Sequence, residues 1–230
     1  MPVASALPAA PLTLDDPEIA LLADPAVVSD RFRRDLDDLQ VRIADMQLEG
    51  APAPRPAAND GAVVVLAGIG GPDAVRQLLA ALPAGFQRPV LIQQRLEGAR
   101  HDKLVRQMQR ATEMPVRLAE AGESLQRGHV YVLPVELGVV QQPDGQRFEA
   151  NGGDVIGNLP AADSAVILLS GADPGIVDAA MSHAFHGAMV AGQSPDGCFD
   201  ALASEALVAR GAQAGAPAEL AKMLAARWPS

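Results

Sequence analysis

Two continuous apolar runs limit the folds open to this chain more than any other feature. Residues 62–67 read A-V-V-V-L-A and residues 165–170 read A-V-I-L-L-S. A strand with one wet face alternates apolar and polar residues. A run without alternation belongs to a strand buried on both faces, as in a parallel sheet covered on both sides. Each run passes into a glycine turn, at 68–71 and at 171–175. After the first, Pro72 suits the opening position of a helix. Val75, Leu78, Leu79 and Leu82 then fall on one helical face. After the second, a helix is expected over 175–187.

The same alternation fills the interval between the two runs. A short strand is expected at 90–93, and a helix at 101–112 with Leu104, Val105, Met108 and Ala111 inward. Strand-like pieces follow at 116–119 and 129–133. Residues 137–148 read as a hairpin turning at Pro143-Asp144-Gly145. Beyond 187 come a strand at 188–192 and Ala-rich helices near 200–210 and 217–227. Strands alternating with helices imply an α/β, mostly parallel, doubly wound sheet of Rossmann-like type. This domain is expected over 62–230.

Residues 1–61 have a different character. Phe32, Leu36, Leu39, Ile43 and Met46 repeat at spacings of 4, 3, 4 and 3, which predicts a helix over 26–48. Two heptads are short for a coiled coil, so the seam serves either a homodimer or packing on the main domain. Residues 50–61, rich in Pro and Ala, read as an extended linker. Residues 15–49 hold ten acids against four arginines. Asp35, Asp37, Asp38 and Asp45 lie on the helix, either as a solvated face or as a docking surface for a basic partner.

Charge and composition exclude several functions. A net charge of −10 argues against nucleic acid and against an anionic membrane surface, both of which call for clustered Lys and Arg. Aromatics are 3% of the chain, too few for a stacking platform. The only cysteine, Cys198, cannot form an internal disulfide and reads as a small buried apolar group. No apolar run approaches the roughly 20 residues that span a bilayer, and residues 1–11 lack a signal peptide's basic start and apolar stretch. A cytoplasmic protein without cofactor is expected.

In open α/β sheets, sites form beyond the carboxyl ends of the strands. Three loops qualify: 67–72, 93–100 and 170–175. The first, A-G-I-G-G-P, resembles a phosphate-binding turn, but Asp73 stands where a dinucleotide fingerprint needs its third glycine. No Gly-Lys-Ser/Thr follows, which excludes a nucleoside-triphosphate loop.

The chain then becomes specific. A-G-I-G-G-P-D-A (67–74), V-L-I-Q-Q (90–94), P-V-R-L-A-E-A-G-E-S-L-Q-R-G-H-V-Y-V-L-P (115–134) and V-I-L-L-S-G-A-D (166–173) occur in that order. Together with 193–199 they resemble the catalytic domain of the chemoreceptor protein-glutamate methylesterases, the CheB family. That family reads A-S-T-G-G-P-E-A, a strand ending Q-H-M, E-A-x-D-G-x-x-L-x-P-G-H-V-Y-x-A-P, V-I-L-T-G-M-G and A-Q-x-x-x-S-C. The resemblance runs over about 62–227. It implies the family's fold and a place in a chemosensory or motility pathway controlling flagella or pili. It also implies partners among receptors, kinases and methylation enzymes.

The resemblance does not carry the chemistry with it. The family's nucleophilic Ser falls on Gly68, which has no attacking atom. Its general-base His falls on Gln94, whose amide takes no proton near neutral pH. Its orienting Asp falls near Asp173, one step out of register, and its oxyanion-site Met falls on Ala172. Residues 1–61 are too short for the family's receiver domain. A catalytically inactive member acting by protein binding is therefore expected, with a vacated pocket formed by Gly68, Ile69, Gly70, Gly71, Gln94, Ser170, Gly171 and Ala172. One alternative is a small-anion sensor using backbone N–H groups of the 68–71 turn. Another is a hydrolase using Ser170, Asp173 or water. Of the histidines, His101 opens a helix and His129 is structural by resemblance. His183 and His186 share a helix face with Asp178 one turn earlier, a metal constellation set against the bland reading of a chance pair. No metal is expected.

Overall fold

The computed structural model describes residues 61–95, 101–150 and 154–229. The expected helix 26–48, its acids Asp35, Asp37, Asp38 and Asp45, and nearly all of the linker lie outside the described residues.

The first apolar run becomes β1 (Val63–Ala67), and every one of its residues is buried. Pleating sends Val63, Val65 and Ala67 to one face and Ala62, Val64 and Leu66 to the other. The Gly70 backbone then turns through φ 79°, and α1 (Gly71–Ala81) opens with Pro72 in its first turn. It buries Ala74, Val75, Leu78 and Leu79. β2 (Val90–Gln94) pairs parallel with β1, and α2 (His101–Gln109) follows.

α2 ends three residues earlier than its periodicity implies, because Gln109 is recruited elsewhere. Its side chain accepts from Val116 N at 2.9 Å and donates to the carbonyls of Thr112 and Met114, at 3.2 and 3.1 Å. These bonds lead the chain into β3 (Val116–Leu118). β4 (Val130–Val132) pairs with both β3 and β2. The hairpin β5 (Leu137–Gln142) and β6 (Gly145–Ala150) stands apart from the main sheet, with Pro143-Asp144 between its paired ends. It sends Val139 and Phe148 inward, and the Phe148 ring meets Tyr131 edge-on at 4.9 Å.

The second apolar run becomes β7 (Ala165–Leu168), which pairs with β1 on the side opposite β2. It is shorter than expected because Ser170 N–H leaves the ladder for Gln193 Oε1 at 3.0 Å, and Gly171 turns through φ 72°. A single 3-10 turn (Pro174–Ile176), capped by Asp173, precedes α3 (Val177–Phe185). β8 (Met189–Gln193), α4 (Leu202–Val208), β9 (Gln213–Gly215) and α5 (Pro217–Arg227) complete the order.

The sheet runs β3-β4-β2-β1-β7-β8-β9, with every pairing parallel. α1, α2 and α5 bury their apolar faces against one side. α3, α4, the hairpin and residues 155–159 cover the other. From β1 the chain leaves toward β2; from its neighbour β7 it leaves toward β8. The winding reverses between these two strands, so their carboxyl-end turns diverge and a crevice opens there. Among the described residues no helix is long and apolar enough to cross a membrane.

Candidate functional site

The turn after β1 and the turn after β7 meet backbone to backbone. Gly68 N–H donates to Ser170 O at 2.9 Å, and Gly71 N–H donates to Gly68 O at 3.0 Å. Gly68 does not have a left-handed φ; it is a glycine for want of space. A Cβ there would stand 1.9 Å from the Gly171 carbonyl oxygen and 2.7 Å from its carbon. The constraint is mutual, since a Cβ on Gly171 would lie 2.2 Å from Ile69 N.

Gln94, at the end of β2, is buried and donates through Nε2 to Gly68 O at 2.6 Å. Its Oε1 has no hydrogen-bond partner among the described residues. The amide therefore fastens the first turn from below, as a hydrogen-bond strut.

Ser170 is 1% exposed. Its hydroxyl donates to Ile69 O at 3.0 Å and accepts from Asp200 N at 3.1 Å, joining the two turns to the segment after β8. Gly171 N–H reinforces that junction through Asp200 O at 2.9 Å. Both groups that Ser170 Oγ bonds are backbone, and neither is a base.

Asp173 holds the second turn. Oδ1 accepts from Gly175 N at 3.0 Å, and Oδ2 accepts from Arg95 Nη2 at 2.7 Å across the crevice. The Gly175 N–H, and after it the Arg95 guanidinium, hold its carboxyl below the usual carboxylate range. That favours an ionised helix-turn cap over a proton carrier.

The structure brings the expected turns together, but they enclose no open pocket between them. Gly68, Gly71, Gln94, Ser170 and Ala172 are buried and fill the junction between the turns; Ile69 and Gly70 face solvent. The open cleft lies alongside, about 410 Å3 in volume, with Leu66, Gln93, Arg95, Val135, Asp173 and Ile176 among its lining residues. Arg95 and Val135 had no pattern to single them out. Around the same end of the sheet Ile69, Val135, Phe199 and Leu202 are each at least 64% exposed.

The remaining candidates separate. His101 opens α2, and among the described residues no hydrogen bond links it to Ser170, Gln94 or Asp173. His129 stacks on Tyr131 at 6.2 Å, and its Nδ1 bonds Arg127 O at 2.9 Å. Asp178, expected as a third donor beside His183 and His186, is instead engaged by Arg210. No three His, Cys, Asp or Glu side chains among the described residues are arranged to hold a metal. Cys198 is partly exposed in a loop rather than buried, with its thiol donating to Asp200 O at 3.2 Å.

Comparison with known proteins agrees with this frame. A family model described as CheB methylesterase matches residues 63–226. A protein-glutamate methylesterase/protein-glutamine glutaminase of Myxococcus xanthus is 33% identical over 127 residues, 53% of this chain and 36% of that protein. One of Thermotoga maritima is 30% identical over 112 residues, 47% of this chain and 33% of the relative. The matches thus span about a third of the length of these curated relatives. The crystal structure of the Thermotoga maritima CheB methylesterase catalytic domain superposes with a TM-score of 0.64 at 21% identity. That superposition covers 72% of this chain and 97% of that one, a likeness of fold.

Proposed function

The chain belongs to the CheB methylesterase family, and from that premise we propose that it works without hydrolysing esters, as a binding protein of a bacterial chemosensory or motility pathway. One observation carries the reading. The carbonyl oxygen of Gly171 stands 1.9 Å from where any side chain at position 68 would begin. The family's nucleophile belongs at that position by resemblance, and here its place is taken by backbone. The other roles have been reassigned in the same way. Gln94 is a strut, Ser170 a junction between turns, and Asp173 a cap paired with Arg95. Nucleophile and base act as a unit, so losing both removes most of the rate.

Binding is supported by the cleft and by the exposed Ile69, Val135, Phe199 and Leu202 beside it. The partner is a receptor, a kinase or a methylation enzyme of the pathway. The acidic segment 26–48, with Asp35, Asp37, Asp38 and Asp45, is read from its sequence as the second contact or a homodimer seam. An anion sensor draws less support, because Gly68 and Gly71 already spend their N–H groups on Ser170 O and Gly68 O.

The test is methanol release from methylated receptor membranes, with an intact family member as positive control. No release above background is expected. Clear release would overturn the reading in favour of a hydrolase, and would direct mutagenesis to Ser170, Asp173 and His101.

A further inference from the structure

Three large apolar side chains stand open where the turn after β1 meets the segment after β8. Ile69, Phe199 and Leu202 are 70%, 79% and 64% exposed. Their backbones are tied together. The buried Ser170 hydroxyl donates to Ile69 O and accepts from Asp200 N, so one oxygen bridges the two segments. Gly70 lets Phe199 lie against the turn, since a Cβ at position 70 would stand 2.7 Å from Phe199 Cβ. Leu202 N–H donates to Asp200 Oδ1 at 3.1 Å, and Glu205 N–H to Ala201 O at 2.8 Å as α4 begins. α4 buries Ala203, Ser204 and Leu207 and leaves Leu202 and Glu205 outside. Single exposed apolar residues are ordinary; three presented from backbones bonded to one another form one face. Hydrogen bonds hold that face in place, which lowers the ordering cost of binding.

The rim of the face carries one sign of charge. Residues 194–209 hold Asp196, Asp200 and Glu205 and no Lys or Arg. All three acids are exposed, and among the described residues no ion pair engages them. The basic residues nearest along the chain, Arg76 and Arg210, are engaged by Asp73 and Asp178. Charge therefore selects the occupant. A second copy of this chain, at a net −10, brings like charge to the rim, and so does an anionic membrane.

We propose that Ile69, Phe199 and Leu202 dock a basic amphipathic segment of a partner protein, with its Lys or Arg side chains on Asp196, Asp200 and Glu205. An apolar seam flanked by cations is the pattern of an amphipathic helix laid on an apolar surface. The inference rests on the reading of the chain as a binding protein and adds the chemistry of the partner to it.

Fluorescence anisotropy of a labelled synthetic Leu/Lys helix, titrated with the full chain, tests this, with the matched Leu/Glu helix as counter-probe. One-to-one binding of the Leu/Lys helix is expected, weakening as salt rises, and none of the Leu/Glu helix. Phe199→Ser should weaken binding by about tenfold or more, as for an aromatic anchor. Asp196→Lys with Glu205→Lys should weaken it by about fivefold or more, since each reversal turns attraction into repulsion. These positions are exposed, so the variants should keep the parent's melting temperature. Glu113→Lys with Glu149→Lys makes the same change of net charge elsewhere and should leave the affinity within about twofold. An equal loss in that pair, or an affinity unchanged by Phe199→Ser, would overturn the proposal. A dimer in sedimentation that Phe199→Ser dissociates would overturn it in favour of a second copy. Binding to phosphatidylglycerol vesicles that Phe199→Ser abolishes would overturn it in favour of lipid. Methanol release bears on hydrolysis alone, so the wider reading and this one fail separately.

Discussion

Restoring the family's nucleophile and base by Gly68→Ser with Gln94→His should fail, and the structure says how. A new Cβ at 68 meets Gly171 O at 1.9 Å, whereas real Cβ contacts essentially never fall below 3.0 Å. The two turns must part by about 1 Å, because this close to contact repulsion rises too steeply for a smaller shift. Parting them strains the Gly68 N–Ser170 O bond and the Ser170 hydroxyl's bonds to Ile69 O and Asp200 N. Overpacking of this kind costs about 1–3 kcal/mol, and a broken buried hydrogen bond about 1 kcal/mol more. Gln94→His also removes the 2.6 Å strut to Gly68 O. A total of about 2–5 kcal/mol would lower the melting temperature of a domain of this size by roughly 5–15 °C. Differential scanning calorimetry measures the loss, and methanol release from methylated receptor membranes should stay at background. Gly68→Ala is the control, since the clash lies at Cβ: it should cost nearly as much as Gly68→Ser. A double variant with an unchanged melting temperature and clear turnover would refute the reasoning, because the turns would then open freely.

Ser170→Ala should destabilise the chain by about 1–3 kcal/mol in chemical denaturation, from loss of a buried hydroxyl with two backbone partners; a negligible effect would mean that Ser170 does not hold the turns together. Arg95→Ala should change stability by less than about 1 kcal/mol, as befits an exposed ion pair. It should nonetheless weaken partner capture, since the guanidinium lines the cleft. Burial raises the Tyr131 phenol above its ordinary value. The folded state thus holds it neutral, with stability fully present below about pH 10 and lost as pH rises through the raised value. Tyr131→Phe should flatten that alkaline limb in urea titrations between pH 9 and pH 11, and an unaltered limb would assign it to other groups. Reversing the charge of Asp35, Asp37, Asp38 and Asp45 together should weaken partner pull-down without moving the melting temperature. Unchanged pull-down would remove this acidic segment from the interface.

What the sequence revealed and what it hid divide along physical lines. Residues 62–67 and 165–170 announced buried parallel strands because burial on both faces leaves no polar position to interrupt them. α5 was legible as a helix near 217–227, and the structure opens it with Pro217 and buries Leu220, Ala221 and Leu224. β9 was not legible: Gln213, Ala214 and Gly215 offer no pattern, and only pairing with β8 makes them a strand. The end of α2 and the shortened β7 escaped for a related reason. Gln109 and Gln193 each divert the backbone with a side-chain bond to a segment remote from the periodic window. Gly68, Gln94 and Asp173 were singled out by resemblance to the family's motifs, and the structure places all three at the carboxyl ends of strands or in the turns that follow. That Gly68 faces a carbonyl, and that the open cleft runs past Arg95 instead of between the glycines, depends on the pairing of turns about a hundred residues apart.

On the proposed reading, that pairing also means that the departure from the family's site is not a single lost side chain. Gly68 and Gly171 each occupy the space that a Cβ on the other side would need. Ser170 then spends its hydroxyl on the resulting contact, and Gln94 its amide. Each of these choices makes sense only with the others in place. A nucleophile at 68 demands a wider separation, which unties Ser170 from Ile69 and Asp200. A base at 94 removes the donor that steadies Gly68 O. Reversion by any one substitution therefore meets a steric or hydrogen-bonding penalty before it meets any catalytic gain. If the chain is inactive as proposed, gaining hydrolysis would need the 170–175 turn replaced together with positions 68 and 94. A chimera carrying a family member's T-G-M-G turn with Gly68→Ser and Gln94→His is the variant in which methanol release should first appear. If the chimera folds with its turns parted and still releases nothing, the missing chemistry lies beyond these three segments.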